Sequence, residues 1–340
     1  MSRRWKLRTR PTLLSSRTQL FLLLLIGFII FRTAEASTGD RLPEFKECVQ
    51  VCDRENCDPN NDPTPIPLHR RLLFWTCAQE CDYTCQHITT NNRINTGKPV
   101  TQYHGKWPFV RVLGMQEPFS VLFSLGNLWV HRRGLSKLHA NLPPNSPMRK
   151  FYTIFAYLGI ATWVFSSVFH TRDFRITERL DYFGAGAGVL YGLYYTPVRV
   201  FRLDLPTPRR ASFLRLWTIL CCALYAMHVG YLTLWKWDYT YNMAANLVAG
   251  GLHNILWTYF SWRRWKETRQ SWTTWPSIFV AWVTLAMSLE LLDFPPLWGA
   301  VDAHSLWHLG TIGPTILWYN FMVRDSQDLA KTDKAKESKA

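Results

Sequence analysis

Residues 151–198 read FYTIFAYLGIATWVFSSVFHTRDFRITERLDYFGAGAGVLYGLYYTPV. Two apolar runs, 151–169 and 180–198, are joined by a short charged segment. Each is close to the length of about 20 residues that a helix needs to cross a bilayer. The second opens into GAGAG at 184–188, small residues that allow close helix packing. Polar groups crowd the junction between the runs. Ser166 and His170 are four residues apart and so share a helical face, and Asp181 opens the second run. Two antiparallel helices with these groups at one end fix the reading of the rest.

Five more apolar segments match this pair: 112–130, 214–234, 241–260, 275–292 and 303–323. Glu117-Pro118 interrupts the first. The expected fold is therefore all-α, a seven-transmembrane helix bundle over 112–323. Seventeen Trp and 48% hydrophobic residues agree with it, since Trp and Tyr favour the membrane–water interface. The mean hydropathy of −0.10 is low because that scale penalises Trp, Tyr and His and because a polar region dilutes it. The net charge of +15 does not point to nucleic acid, because Lys and Arg cluster between apolar runs. The first, third and fifth connections carry thirteen Lys and Arg, the even ones four. The positive-inside rule then puts the odd connections and the Lys-rich tail, 324–340, in the cytosol.

At the other end, MSRRWKLRTR precedes an apolar core at 20–31 and Ala34-Glu35-Ala36. This is the pattern of a cleavable signal peptide over 1–36. It predicts a lumenal N-terminus, in agreement with seven spans and a cytosolic C-terminus. Six of the eight cysteines fall in the region 37–111 that follows: Cys48, Cys52, Cys57, Cys77, Cys81 and Cys85. An even count in a secretory setting implies three disulfides, with fifteen possible connectivities. The four-residue spacings fit two antiparallel helices stapled along facing turns, with 58–67 as the loop. A zinc knuckle is the weaker reading. Cys221 and Cys222 lie in an apolar run and read as buried free thiols.

Ionisable groups within spans are costly and usually face a functional cavity. His304 and His308 open the last run, four apart, a spacing that puts two imidazoles on one helical face. The expected topology brings them to the same depth as Ser166, His170 and Asp181. Three His ligands and one open position are the pattern of catalytic zinc. His228 and His253 lack such partners and read as packing residues. Asp173, Asp293 and Asp302 read as outer partners or solvated loop charges, and Glu290 as a bond to a neighbouring helix or ligand.

Ser-x3-His-x10-Asp followed by His-x3-His resembles the CREST membrane-hydrolase superfamily. Within it, GDRLPEFKECVQVC, KWPFVRVLGMQEPFSVLFSLGN, SSVFHTRD, ERLDYFGAG, YNMAANLV, LELLDFPP and DAHSLWHLGT resemble the post-GPI-attachment-to-proteins factor 3 family. The resemblance covers almost the whole chain after residue 36. It implies a Zn2+-dependent hydrolase that removes the sn-2 acyl chain from glycosylphosphatidylinositol (GPI)-anchored proteins, working on membrane lipid. His170, His304 and His308 correspond to the zinc ligands, and Ser166 and Asp181 to the remaining motif residues. It also implies a Golgi membrane, or the endoplasmic reticulum membrane as for fungal relatives; the tail does not match a dilysine retrieval signal. Two other functions stay open on the same residues: an alkaline ceramidase, and a non-enzymatic receptor or chaperone for GPI-anchored proteins.

Overall fold

The computed structural model describes residues 37–58, 65–290 and 292–337. The expected signal peptide lies outside them. The described residues are all-helical, with only isolated bridges in the loops.

Two helices, α1 (Pro43–Asn56) and α3 (Cys77–Asn95), build the cysteine-rich region, with a short turn α2 (Leu68–Leu72) between them. Pro43 starts α1 at a position where a missing N–H costs nothing. Thr76 and Gln79 form a capping box at the start of α3. The three disulfides are nested: Cys48–Cys85, Cys52–Cys81 and Cys57–Cys77. They staple facing turns of two antiparallel helices, the arrangement that the four-residue spacing predicts. All six cysteines are oxidised, which leaves no thiolate for a zinc knuckle.

After α3 the chain turns back in a hairpin. Tyr103 and Lys106 exchange backbone hydrogen bonds across His104 and Gly105, which take the positive φ that a two-residue hairpin turn needs. His104 also ties the hairpin to two carboxylates. Its backbone N–H donates to Asp40 Oδ1 at 2.8 Å, and its ring Nε2 lies 2.8 Å from Asp82 Oδ2. The hydrogen bond to Asp82 raises the pKa of His104, partial burial opposes this, and the charges of Asp82 and Asp40 add to it. The folded state thus favours the imidazolium. Its contribution is complete below about pH 6.5, the unfolded value, and is lost as the pH rises through the elevated folded value. The His104 side chain is 58% exposed, so solvent screening holds the effect below about 1 kcal/mol. Thermal melts should show stability falling from pH 6 upwards. His104→Asn, which tolerates the left-handed backbone, should flatten that fall; an unchanged slope would remove His104 as its source.

Seven long helices follow: α4 (Pro118–Asn141), α5 (Arg149–Thr171), α6 (Arg175–Val200), α7 (Pro208–Gly230), α8 (Tyr239–Thr268), α9 (Trp275–Glu290) and α10 (Ala303–Glu337). Each coincides with one apolar segment of the sequence. Two, α5 and α7 with its π-helical extension to Trp235, are long and apolar enough by composition to cross a membrane. The chain has the character of a membrane protein.

Six of the seven form a closed ring in which α4 packs on α5, α5 on α6, α6 on α8, α8 on α9, α9 on α10 and α10 on α4. The seventh, α7, packs on the outside of α6. Gly184 gives α6 its close approach to α5, where the Thr162 hydroxyl donates to the Gly184 carbonyl at 2.9 Å. A Cβ at 184 would stand 3.4 Å from the Thr162 Cα and 3.0 Å from the Phe165 ring. At the end opposite His170, buried Tyr152, Tyr195, Trp257, Trp318 and Phe321 form the aromatic core. A bidentate ion pair from Arg199 to Asp325, at 2.5 and 2.6 Å, crosses that core, with the Tyr152 hydroxyl 3.4 Å from Asp325.

The structure departs from the sequence reading in three places. The first bundle helix begins at Pro118, not at 112, because Arg111 and Gly114 bond Glu80 and Trp75 of the cysteine-rich region, and Gln116 and Glu117 bond the end of α5. Helix α10 continues through Glu337, well past 323, with Asp325, Ser326 and Leu329 buried. Cys221 is buried as expected, but Cys222 is exposed on the outer face of α7.

Candidate metal centre and active site

His170 ends α5, and His304 and His308 begin α10. The ring of helices brings all three together, with their ligand nitrogens within 4.8 Å of one another. His170 and His308 are buried at 2% and 4% exposure. The His304 side chain is 35% exposed and marks the open side of the cluster.

Each imidazole is held from behind at Nδ1. The His170 Nδ1–H donates to Glu117 Oε2 at 2.7 Å, and the His304 Nδ1–H to Glu290 Oε2 at 2.6 Å. His308 Nδ1 lies 2.9 Å from Ser124 Oγ and 3.3 Å from the Ser120 carbonyl. With the protons on Nδ1, every Nε2 carries a lone pair. Those of His170 and His304 face each other at 3.4 Å. Two lone pairs so placed repel unless a proton or a metal cation lies between them. Two nitrogens on one tetrahedral zinc, each at about 2.0–2.1 Å, lie roughly 3.3 Å apart. A backing carboxylate that fixes tautomer and ring orientation is the usual outer shell of a metal-bound histidine. Charge agrees: with neutral imidazoles, Glu117, Glu290, Asp173 and Asp181 outweigh Lys106 around the cluster, a negative excess that a dication would offset. The residues present fit a zinc ion.

Ser166 is buried, with its Oγ 3.0 Å from Ser124 Oγ. A continuous chain follows in which His308 Nδ1–H donates to Ser124 and Ser124 O–H donates to Ser166. The Ser166 hydroxyl proton is then free for a ligand. Neighbouring Ser167 donates instead to the Trp163 carbonyl at 2.7 Å, along its own helix. Asp181, in the second turn of α6, lies within electrostatic reach of His170 and His304. It is not one of the clustered ligand atoms.

Sequence reasoning missed Glu117 and Ser124. The signal was there: Glu117, Ser120, Ser124, Asn127 and His131 recur at steps of three and four, the spacing of one helical face, and all five are buried. Asn127 donates to the His308 carbonyl at 2.7 Å and accepts from Thr311 at 3.1 Å, which fixes α10 against α4. Glu290 bonds a neighbouring helix as expected. Asp302 caps α10 by accepting from the Ser305 N–H at 2.8 Å. Asp293 accepts from Gln102 and Trp107 and so ties down the hairpin. His253 lies 3.0 Å from the Thr196 hydroxyl in a packing role, and no clustered ligand partner faces it or His228 among the described residues.

The Per1-like family profile matches residues 67–326, which takes in α3, the hairpin and all three clustered histidines. The chain is 42% identical to the "Protein PER1 homolog" of Schizosaccharomyces pombe, over 89% of this chain and 91% of that protein. It is 38% identical to the "Post-GPI attachment to proteins factor 3" of Drosophila melanogaster, over 90% and 94% of the two chains. Against the human protein "GPI-specific phospholipase A2-like PGAP3" it is 36% identical, over 89% and 93%. Identity of this degree over nearly the full length, with a family profile spanning most of the chain, places it in the Per1-like family, the post-GPI-attachment-to-proteins factor 3 group that its motifs resemble.

Proposed function

We infer that this chain remodels GPI anchors as a zinc-dependent hydrolase of the sn-2 acyl ester, a phospholipase A2 type of reaction. The observation that carries this reading is the convergence of three imidazole Nε2 atoms, each braced at Nδ1. Relatives named for post-GPI attachment and GPI-specific phospholipase A2-like action supply the substrate class.

Zinc held by His170, His304 and His308 would supply Lewis acidity, which acidifies water and polarises an ester carbonyl. The chain's own groups complete the reaction. Asp181 accepts a proton from the attacking water and returns it to the departing alkoxide. The Ser166 hydroxyl, its own lone pair satisfied by Ser124, donates to the oxygen of the tetrahedral species. The bond between the acyl carbonyl carbon and the sn-2 oxygen breaks, giving a free fatty acid and a lyso lipid that keeps that oxygen as its sn-2 hydroxyl. Half-buried His304 marks the side from which the ester arrives, and the acyl chain stays among the helices.

The same proposal takes all seven long helices as spans. The thirteen-to-four division of basic residues among their connections supports a lumenal site and cysteine-rich region, with a cytosolic C-terminus. It places the protein in the Golgi membrane, with the endoplasmic reticulum as the alternative.

The test uses purified protein in detergent, with a diacyl GPI lipid labelled at sn-2 and ceramide as control. Labelled fatty acid should appear with GPI lipid only, vanish after metal chelation, and return with added zinc. Cleavage of ceramide in preference would make this a ceramidase-like amide hydrolase. Stoichiometric zinc with turnover of neither lipid would leave a binding protein with a structural metal.

A further inference from the structure

Lys106 belongs neither to the ligand set nor to the proposed acid–base machinery. Its ammonium lies 2.6 Å from Glu117 Oε1 and 3.0 Å from Asp173 Oδ2, and 4.3 Å from the centre of the Phe169 ring. The other Glu117 oxygen, Oε2, accepts the His170 Nδ1–H. One buried carboxylate is thus shared between a candidate metal ligand and Lys106.

The position of Lys106 is set far from that site. The hairpin bonds between Tyr103 and Lys106 are 2.7 and 2.9 Å long. Tyr103 is 1% exposed and packs on Phe45 and on Cys85, the partner of Cys48. The turn is pinned by Asp40, through His104 N–H, and by the Ser37 hydroxyl, which accepts from Gly105 N–H at 2.6 Å. Gly39 approaches Tyr103 so closely that a Cβ there would stand 2.6 Å from its ring. These anchors lie on α1, α3 or the segment just before them, and Asp293, beyond α9, holds the flanking Gln102 and Trp107.

We propose that Lys106 is a positioning residue for the metal centre, delivered by the disulfide-stapled helices. It holds Glu117 in place against His170, and the cysteine-rich region thereby shapes a site to which it contributes no ligand. This rests on His170 being a metal ligand. Without the ammonium, the Glu117 carboxylate loses its ionic partner and is free to turn away from the imidazole. Loss of such outer-shell support commonly weakens metal binding by about 10–100-fold.

The experiment measures zinc affinity of the full chain in detergent by competition with a chromophoric chelator. Lys106→Met should bind zinc about 10–100-fold more weakly than wild type. Lys106→Arg, which keeps the charge and donors, should recover most of that loss, which a merely structural role for the side chain would not require. The double variant Cys48→Ser/Cys85→Ser, which loosens the support under Tyr103, should weaken binding in the same direction. It also serves as the second arm should Lys106→Met fail to fold. Wild-type affinity in Lys106→Met, or in the folded cysteine variant, overturns this proposal alone. A wild-type protein that takes up no zinc overturns it together with the reading it rests on.

Discussion

Asp181→Asn is expected to lower turnover of the sn-2 ester by about 10²–10⁴-fold, the usual contribution of a general acid–base group, while leaving zinc content unchanged. The carboxylate lies within electrostatic reach of His170 and His304, yet it stands outside the histidine cluster. Asparagine keeps its shape and removes the capacity to take and return a proton. His304→Ala makes the contrast, because it removes one of the two nitrogens that face each other at 3.4 Å. Zinc and turnover should then disappear together. Single-turnover rates and metal content per chain separate the two variants. Asp181→Asn with turnover within tenfold of wild type would reduce Asp181 to a structural role, and zinc lost along with it would make Asp181 a ligand instead.

The second large effect lies at the opposite end of the bundle. Asp325→Ala should destabilise the fold by about 3–5 kcal/mol, the range for breaking a buried ion pair from one side. Asp325 is fully buried and Arg199 is 4% exposed, so the guanidinium left behind has no access to solvent. The Tyr152 hydroxyl would lose its acceptor as well. Replacing both partners, as in Arg199→Met/Asp325→Leu, should recover most of the loss, since an apolar pair leaves no charge stranded. Denaturation of the wild type and both variants in one detergent decides the matter. Equal loss in the single and double variants would mean that packing, and not charge, carries the effect.

Most of the bundle was legible because its signal is local. Each apolar run of bilayer length became a helix, and paired His304 and His308 share a face by spacing alone. The convergence of Ser166, His170 and Asp181 with that pair followed from placing alternate ends on one side. The four-residue cysteine spacings predicted a stapled helix pair, and the nested pairing then needed the structure. Glu117 was read as a break in a span. Its side chain is instead the outer partner of His170, 53 positions away, a contact no local pattern reports. Ser124 carried a legible helical stripe, but its meaning depends on His308, 184 positions on. The full length of α10 was hidden for a related reason. Its polar last turns are held by ion pairs such as Arg264 to Asp328, at 2.6 Å, and Arg202 to Asp333, at 2.8 Å, which hydropathy cannot register.

The nesting of the disulfides also sets an order of assembly during synthesis. The three bridges close loops of 20, 29 and 37 residues, all short in closure entropy, and chains emerge N-terminal end first. The stapled pair can therefore be complete before any bundle helix is made. The histidine cluster cannot: 134 residues separate His170 from His304, and His308 is translated when all but the end of the chain exists. A ribosome-bound chain halted after α9 should already carry the three bridges while holding no zinc. The oxidative step and the gathering of the three histidines are thus separated in time by the order of residues along the chain.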